Sequence, residues 1–502
     1  MTRGQGRLRS LACRATSLAA TLATLATLAT LATAANAAAA AAGAPATSAS
    51  MGVVPAPVAH ALAAGRLAPG STSFIVLEQD SGRVVASLNG ETPRSPASTM
   101  KLVTTYASLD LLGPAYTWHT DALVHGTLEG GVLKGDLILK GGGDPYMTLE
   151  RWWSFVHALR AKGLQTIRGD IVIDDTAFSL PAEDPGAFDG RPNRSYNVEP
   201  DALMVNFQSV EFRMAPNAAT RSIDVVANPA PVNLAIDNRI TYAAGRCSGA
   251  GARVDFDVPS AEWDRAEFSG SLSGECLERT ITRVMLKAPS YAYGTFVELW
   301  RESGGEFNGK MRIEAAPPDA QPLASFQSLT LGEVIRLTNK YSNNLMARHL
   351  FLTIGMDRYG APATLDKGAR AIADWSNSRG LPLGDVVIDN GSGLSRSARI
   401  SALEMAAMLR EAYHSRWAPE FISSLPLAGI DGTLRSRMQR TVPGSVRLKT
   451  GHLDGVTAVA GYVTGGSGKT YVLVSIINDA RSDSGAGEPV HAALVDWVQD
   501  SL

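Results

Sequence analysis

From about Pro114 to Pro317 the chain runs as short β-branched segments broken by Gly, Pro and Asp, at 133–139, 169–174, 222–226 and 252–258. The patterns on either side differ. Ahead of the block, 74–77 and 84–88 read as a hairpin around Asp80-Ser81-Gly82-Arg83, and a helical pattern opens near Pro96 and continues to Leu112. Behind it, helical periodicity covers 329–336, 345–354, 366–379 and 402–413. Strand patterns follow at 446–449, 456–463 and 470–477, and a helix closes the chain over 492–502. Two strands in front and three behind can share one antiparallel sheet, which makes the block an insertion into one α+β domain. The expected organisation is a main domain of 58–113 with 318–502 and a β-rich lobe of 114–209 with 278–317. A second sub-lobe, 210–277, carries Cys247 and Cys276.

The first 57 residues are read separately. Arg3, Arg7, Arg9 and Arg14 precede an uncharged Ala/Leu/Thr stretch, and Ala35-Asn36-Ala37 is a small-residue cleavage site. That order predicts a secretory signal over 1–37, followed by an Ala/Pro/Ser-rich linker over 38–57 and export to the periplasm. The alternative is an uncleaved membrane anchor, disfavoured by the small-residue site and the Ala-rich tail after it. Cys13 precedes the apolar stretch, so it is not read as a lipid-attachment site. Cleavage leaves two cysteines, and an even count in an oxidising compartment suggests one disulfide, Cys247–Cys276; two buried thiols are the alternative.

A content of 45% hydrophobic and 19% charged residues excludes a disordered chain. No Lys/Arg block gives a nucleic acid its electrostatic footprint. The eight His form no metal-ligand pair, and two Cys cannot build a zinc site alone, so neither metal nor cofactor is expected.

Three short stretches carry chemistry. Ser98-Thr99-Met100-Lys101 opens a helix, where residues three apart share a face. A serine hydroxyl needs a base within reach, and a lysine serves as one when burial or a neighbouring cation lowers its pKa. Lys101 is the only Lys in the chain with Ser three positions before it. Ser342-Asn343-Asn344 lies between two helical runs. The Ser342 hydroxyl can pass a proton to a leaving amine, and the Asn344 amide can hold a substrate carbonyl. Lys449-Thr450-Gly451 ends a strand. Lys449 offers a positive charge, Thr450 a hydroxyl for a carboxylate, and Gly451 room for close approach.

The order S-x-x-K, S-x-N, K-T-G is similar to the set carried by penicillin-binding proteins and class A β-lactamases. Pro96 to Leu102, Gly142-Gly143-Asp144-Pro145, Asn390 to Arg396 and Gly429-Ile430-Asp431-Gly432-Thr433 resemble the low-molecular-mass class C penicillin-binding proteins, the D-alanyl-D-alanine carboxypeptidase/endopeptidase branch. The resemblance runs from about Val58 to Leu502. It implies a penicillin-binding transpeptidase-like domain, an antiparallel sheet flanked by helices, with a long insertion forming one or two extra lobes. It also implies that Ser98 is acylated by peptidoglycan stem peptides, and by β-lactams as covalent inhibitors. Lys101 is then the base and Ser342 the proton relay. Asn344, Lys449, Thr450 and Gly451 bind substrate, and the backbone N–H groups of Ser98 and His452 form the oxyanion site.

His452 stands where the family usually has Ser or Thr, which removes a side-chain contact to a carboxylate. Asp174, Phe178 and Arg396 resemble residues that approach the substrate side chain. The rival readings are a β-lactamase or esterase, against which the insertion argues, and a non-catalytic wall-binding homologue, against which the three intact motifs argue.

Overall fold

A computed structural model describes residues 53–502, so the predicted signal at 1–37 and the linker as far as residue 52 lie outside the described residues. The expected single sheet forms. Its strands lie in the order Val446–Leu453, Val456–Thr464, Thr470–Asn478, Thr72–Glu78 and Val84–Leu88, all antiparallel. Strand pairing thus joins the two ends of the chain, with Phe74 opposite Ser475 and Thr450 opposite Val459.

The central strands are buried on both faces, so they read as continuous apolar runs rather than strict alternation. Ile75, Leu77, Val474 and Ile476 face Tyr106, Met405 and Leu409 of the helices Lys101–Leu112 and Ala402–His414. Phe74, Val76 and Leu473, one step out of phase, face Val58 and Leu62 of Ala56–Ala64 and Leu494 and Val498 of Glu488–Ser501. The first helix, Ala56–Ala64, begins two residues ahead of the expected domain start at 58, with Pro55 just before it and Pro57 in its first turn.

The block after the helix Lys101–Leu112 builds its own sheet around a long hairpin, His119–Glu129 with Val132–Gly141, turned by Gly130 and Gly131 at positive φ. Gln321–Gln327 pairs with the outer side of His119–Glu129, so this sheet runs past residue 317. In the second sub-lobe Arg279–Val284 pairs with Ser209–Asn217, so that sheet runs past residue 277. In both places pairing partners, not local composition, decide where a lobe ends. Cys247 and Cys276 are joined by a disulfide, with Cα atoms 4.8 Å apart.

Two long helices, Leu149–Ala161 and Ala288–Glu302, also sit in the block read as β-rich. Trp152, Phe155, Val156 and Leu159 recur at i, i+3, i+4 and i+7 and pack with Phe296 and Trp300 in the lobe's core. That spacing was the available signal, obscured by the Gly-punctuated strands around it.

Candidate active site

Ser98 lies in a single turn, Ala97–Met100, that runs directly into the helix Lys101–Leu112. Two glycines let distant segments close on this turn. A Cβ at Gly451 would stand 2.7 Å from the Pro96 carbonyl oxygen and 3.1 Å from the Ser98 nitrogen. One at Gly393 would collide with the Ala97 carbonyl oxygen. The K-T-G strand and the loop holding Ser392 therefore rest on the backbone of the Ser98 turn, and any side chain at either glycine would push them away.

Lys101 is fully buried, with Nζ 3.0 Å from Ser98 Oγ, 2.7 Å from Asn344 Oδ1 and 2.6 Å from the Ser392 carbonyl oxygen. None of the three partners is a carboxylate. Burial, and then the positive charges of Lys449 and Arg348, holds the amine well below the ordinary lysine range. A neutral amine has two N–H donors and one lone pair. Donation to Asn344 and Ser392 uses both donors and leaves the lone pair for the Ser98 hydroxyl.

Ser342 ends the helix Leu331–Tyr341 in the left-handed conformation, φ +57°. Asn343 caps the next helix by accepting from the Met346 N–H, and Asn344 is that helix's first residue. The reversal sends Ser342 and Asn344 to different partners. Ser342 Oγ accepts from Lys449 Nζ at 2.8 Å, while Asn344 meets Lys101. Asn344 Nδ2 donates to the Tyr196 carbonyl at 3.1 Å, so both ends of this amide are engaged.

Lys449 is also fully buried, and burial pushes its pKa down to about 7. Thr450 Oγ1 donates to Thr433 Oγ1 at 2.8 Å, which ties the strand to the Gly429–Thr433 stretch. His452 is exposed two residues further on.

The three residues expected near a substrate side chain go to different places. Asp174 is buried. Its carboxylate accepts from the N–H and hydroxyl of Thr176 and from the Ala316 N–H, and Lys140 lies 3.7 Å away. Phe178 and Arg396 line a cavity of about 620 Å³, and Asp174 does not; the neighbouring Asp175 does. Phe178 stacks edge-on against His349, ring centroids 5.4 Å apart. Asn390 and Leu394, flanking Ser392, are also on the cavity wall, while Ser98 is not, so the cavity lies beside Ser98 rather than over it.

The residue-by-residue reading missed Ser392, Thr433 and Arg348. The first two lie in the stretches 390–396 and 429–433, already singled out, but they act through a carbonyl and a neighbour's hydroxyl, which residue type alone does not reveal. Arg348 has no sequence signal; its long-range effect on Lys101 follows from the helix Asn344–Tyr359.

Residues 54–501 match the model of the D-Ala-D-Ala carboxypeptidase 3 (S13) family. The D-alanyl-D-alanine carboxypeptidase DacB of Haemophilus influenzae is 26% identical over 433 residues, covering 86% of this chain and 90% of that protein. A D-alanyl-D-alanine carboxypeptidase of Actinomadura sp. is 30% identical over 435 residues, 82% of this chain and 78% of its own length. The solved structure of the H. influenzae protein, penicillin binding protein 4, superimposes with a TM-score of 0.71 at 26% identity, covering 84% and 93% of the two chains. A complex of that protein with a β-lactam gives 0.68, covering 82% and 90%.

Proposed function

The chain belongs to the D-Ala-D-Ala carboxypeptidase 3 (S13) family of serine peptidases, and from that premise we propose that Ser98 is its nucleophile and Lys101 its base. The carrying observation is the buried amine of Lys101, 3.0 Å from Ser98 Oγ with no carboxylate among its partners. Lys101 takes the Ser98 proton as Oγ attacks the carbonyl of a D-alanyl peptide bond. The oxyanion is received by the backbone N–H groups of Ser98 and His452; a preorganised donor of this kind is worth about 3 kcal/mol.

Ser342, held by Lys449, passes a proton to the leaving amine. Lys449 and Thr450 take the substrate's terminal carboxylate, which favours the charged form of a lysine poised at about 7. Asn344 orients Lys101 and, once released from the Tyr196 carbonyl, the substrate. Phe178 and Arg396, with the backbone braced by Asp174, form the side-chain region. Water then releases the acyl group.

The same bond occurs in D-alanyl cross-links, so the enzyme acts on peptidoglycan stem peptides as carboxypeptidase and endopeptidase, and β-lactams acylate Ser98. The H. influenzae relative's β-lactam complex supports the latter. The N-terminal pattern and the Cys247–Cys276 disulfide support export to the periplasm. No helix among the described residues is long and apolar enough to cross a membrane.

Labelling with a fluorescent penicillin tests the nucleophile. Wild type takes the label and Ser98→Ala, folded by circular dichroism, takes none; a labelled Ser98→Ala removes Ser98 from the role. Mass spectrometry of digested cross-linked muropeptides separates the two peptidase activities.

A further inference from the structure

The hydroxyl of Thr450 already has a partner. Its Oγ1 donates to Thr433 Oγ1 at 2.8 Å, and Thr450 is buried while Thr433 is half-buried. A hydroxyl has one proton to give and two lone pairs. With that proton turned to Thr433, Thr450 has none for a carboxylate, which only accepts. Among the described residues no acceptor takes the proton of Thr433 itself, so that proton is free to turn.

Thr433 is held from both sides. Asp431, two residues before it, bonds Lys340 Nζ at 2.6 and 2.8 Å and accepts from the Leu427 N–H at 2.8 Å. Gly432 sits at φ +57° against the end of the helix Leu331–Tyr341, where a Cβ would stand 2.6 Å from the Lys340 carbonyl oxygen. Leu434, one residue after, is fully buried in the same apolar core as Val446 and Leu448, which belong to the strand that carries Thr450. The single turn Gly432–Leu434 therefore presents the Thr433 hydroxyl to Thr450 from a fixed backbone.

Two hydroxyls so placed can reverse their order. When a carboxylate reaches Thr450, the Thr450 proton turns to it and Thr433 donates to Thr450 Oγ1 instead. Each proton stays on its own oxygen, and no covalent bond changes. The bond to the anion is charge-assisted, and the donor behind it strengthens it further. His452 brings no hydroxyl to this end of the strand, so the second hydroxyl comes from Thr433. We propose that Thr433 is a positioning residue for the substrate's terminal carboxylate, acting through Thr450. This rests on the reading that Lys449 and Thr450 take that carboxylate. What position 433 must supply is a group that both accepts and donates; volume alone does not suffice.

The test measures kcat/KM for two thioesters of N-acetyl-D-alanine, the thioglycolate, whose leaving group bears a carboxylate, and the ethyl thioester, whose leaving group bears none. Their ratio is the carboxylate preference. Thr433→Val is expected to lower that preference about fivefold to tenfold, through the thioglycolate and not the ethyl thioester. Thr433→Ser, which restores the hydroxyl, should stay within twofold of wild type, and Thr433→Ala should behave as Thr433→Val. A preference within twofold of wild type in both Thr433→Val and Thr433→Ala overturns the role of Thr433. So does an equal loss on both thioesters, which is the mark of a merely structural residue. Both outcomes leave the Thr450 reading intact, provided Thr450→Val abolishes the preference. A wild type that hydrolyses both thioesters equally well overturns the carboxylate reading, and Thr433 with it.

Discussion

Two buried lysines, Lys101 and Lys340, lie on neighbouring helices and meet opposite surroundings. Lys340, in the last turn of Leu331–Tyr341, bonds both carboxylate oxygens of Asp431, at 2.6 and 2.8 Å, and the Leu425 carbonyl. Burial pushes its pKa down, and the Asp431 carboxylate offsets much of that. Lys101 is buried at least as deeply but meets only a hydroxyl, an amide oxygen and a backbone carbonyl, with two further cations nearby. The first arrangement keeps an ammonium and braces the Gly429–Thr433 stretch. The second favours the free amine, the form that can deprotonate a serine. What separates a bracing ammonium from an amine able to accept a proton here is whether a carboxylate was supplied, not how deep the lysine lies.

The contrast can be broken from either side. Replacing Lys101 by Met keeps the volume and removes the base, so acylation of Ser98 by a chromogenic β-lactam should slow by about 10³-fold or more; stopped-flow absorbance measures it. Equal rates in Lys101→Met and wild type would place the base elsewhere. Asp431→Asn leaves Lys340 buried without its counter-charge. Because Asp431 is itself partly exposed, the cost should be about 2 kcal/mol of stability, read from urea unfolding. If Asp431→Asn unfolds at the wild-type midpoint, Lys340 is not held by that pair.

The smallest effect concerns pH. Burial, and then the charges of Lys449 and Arg348, holds Lys101 well below the ordinary lysine range, which favours its free amine. Lys449 is charged below about pH 7 and neutral above it. For substrates bound through a carboxylate, kcat/KM should therefore fall as pH rises through about 7, by up to tenfold per unit. The signature is a basic limb that disappears in Lys449→Met. A flat profile from pH 6 to 9 in the wild type would mean that Lys449 keeps its charge throughout.

Much of the main domain was legible before any coordinates. The hairpin at 74–88, the late strands and the helices at 345–354 and 402–413 were readable because their apolar periodicity matches their burial. The helices Leu149–Ala161 and Ala288–Glu302 were not read, although the Trp152–Leu159 spacing carried the signal. At the candidate site, Ser98, Lys101, Ser342, Asn344 and Lys449 stand out in the sequence by side-chain type and order, and the structure brings them into two hydrogen-bonded groups.

The sequence by itself determined the single sheet, the interrupted domain and the residue types that can do acyl transfer, since those depend on local periodicity and side-chain chemistry. Only the tertiary structure decided that Ser342 meets Lys449 while Asn344 meets Lys101, that Asp174 is spent inside its own lobe, and that Gly451 rests on the Ser98 turn. Those outcomes depend on which of several chemically equivalent partners packing brings within about 3 Å, and hydrogen bonds and desolvation act only at that range. Spacing along the chain carries no information about it.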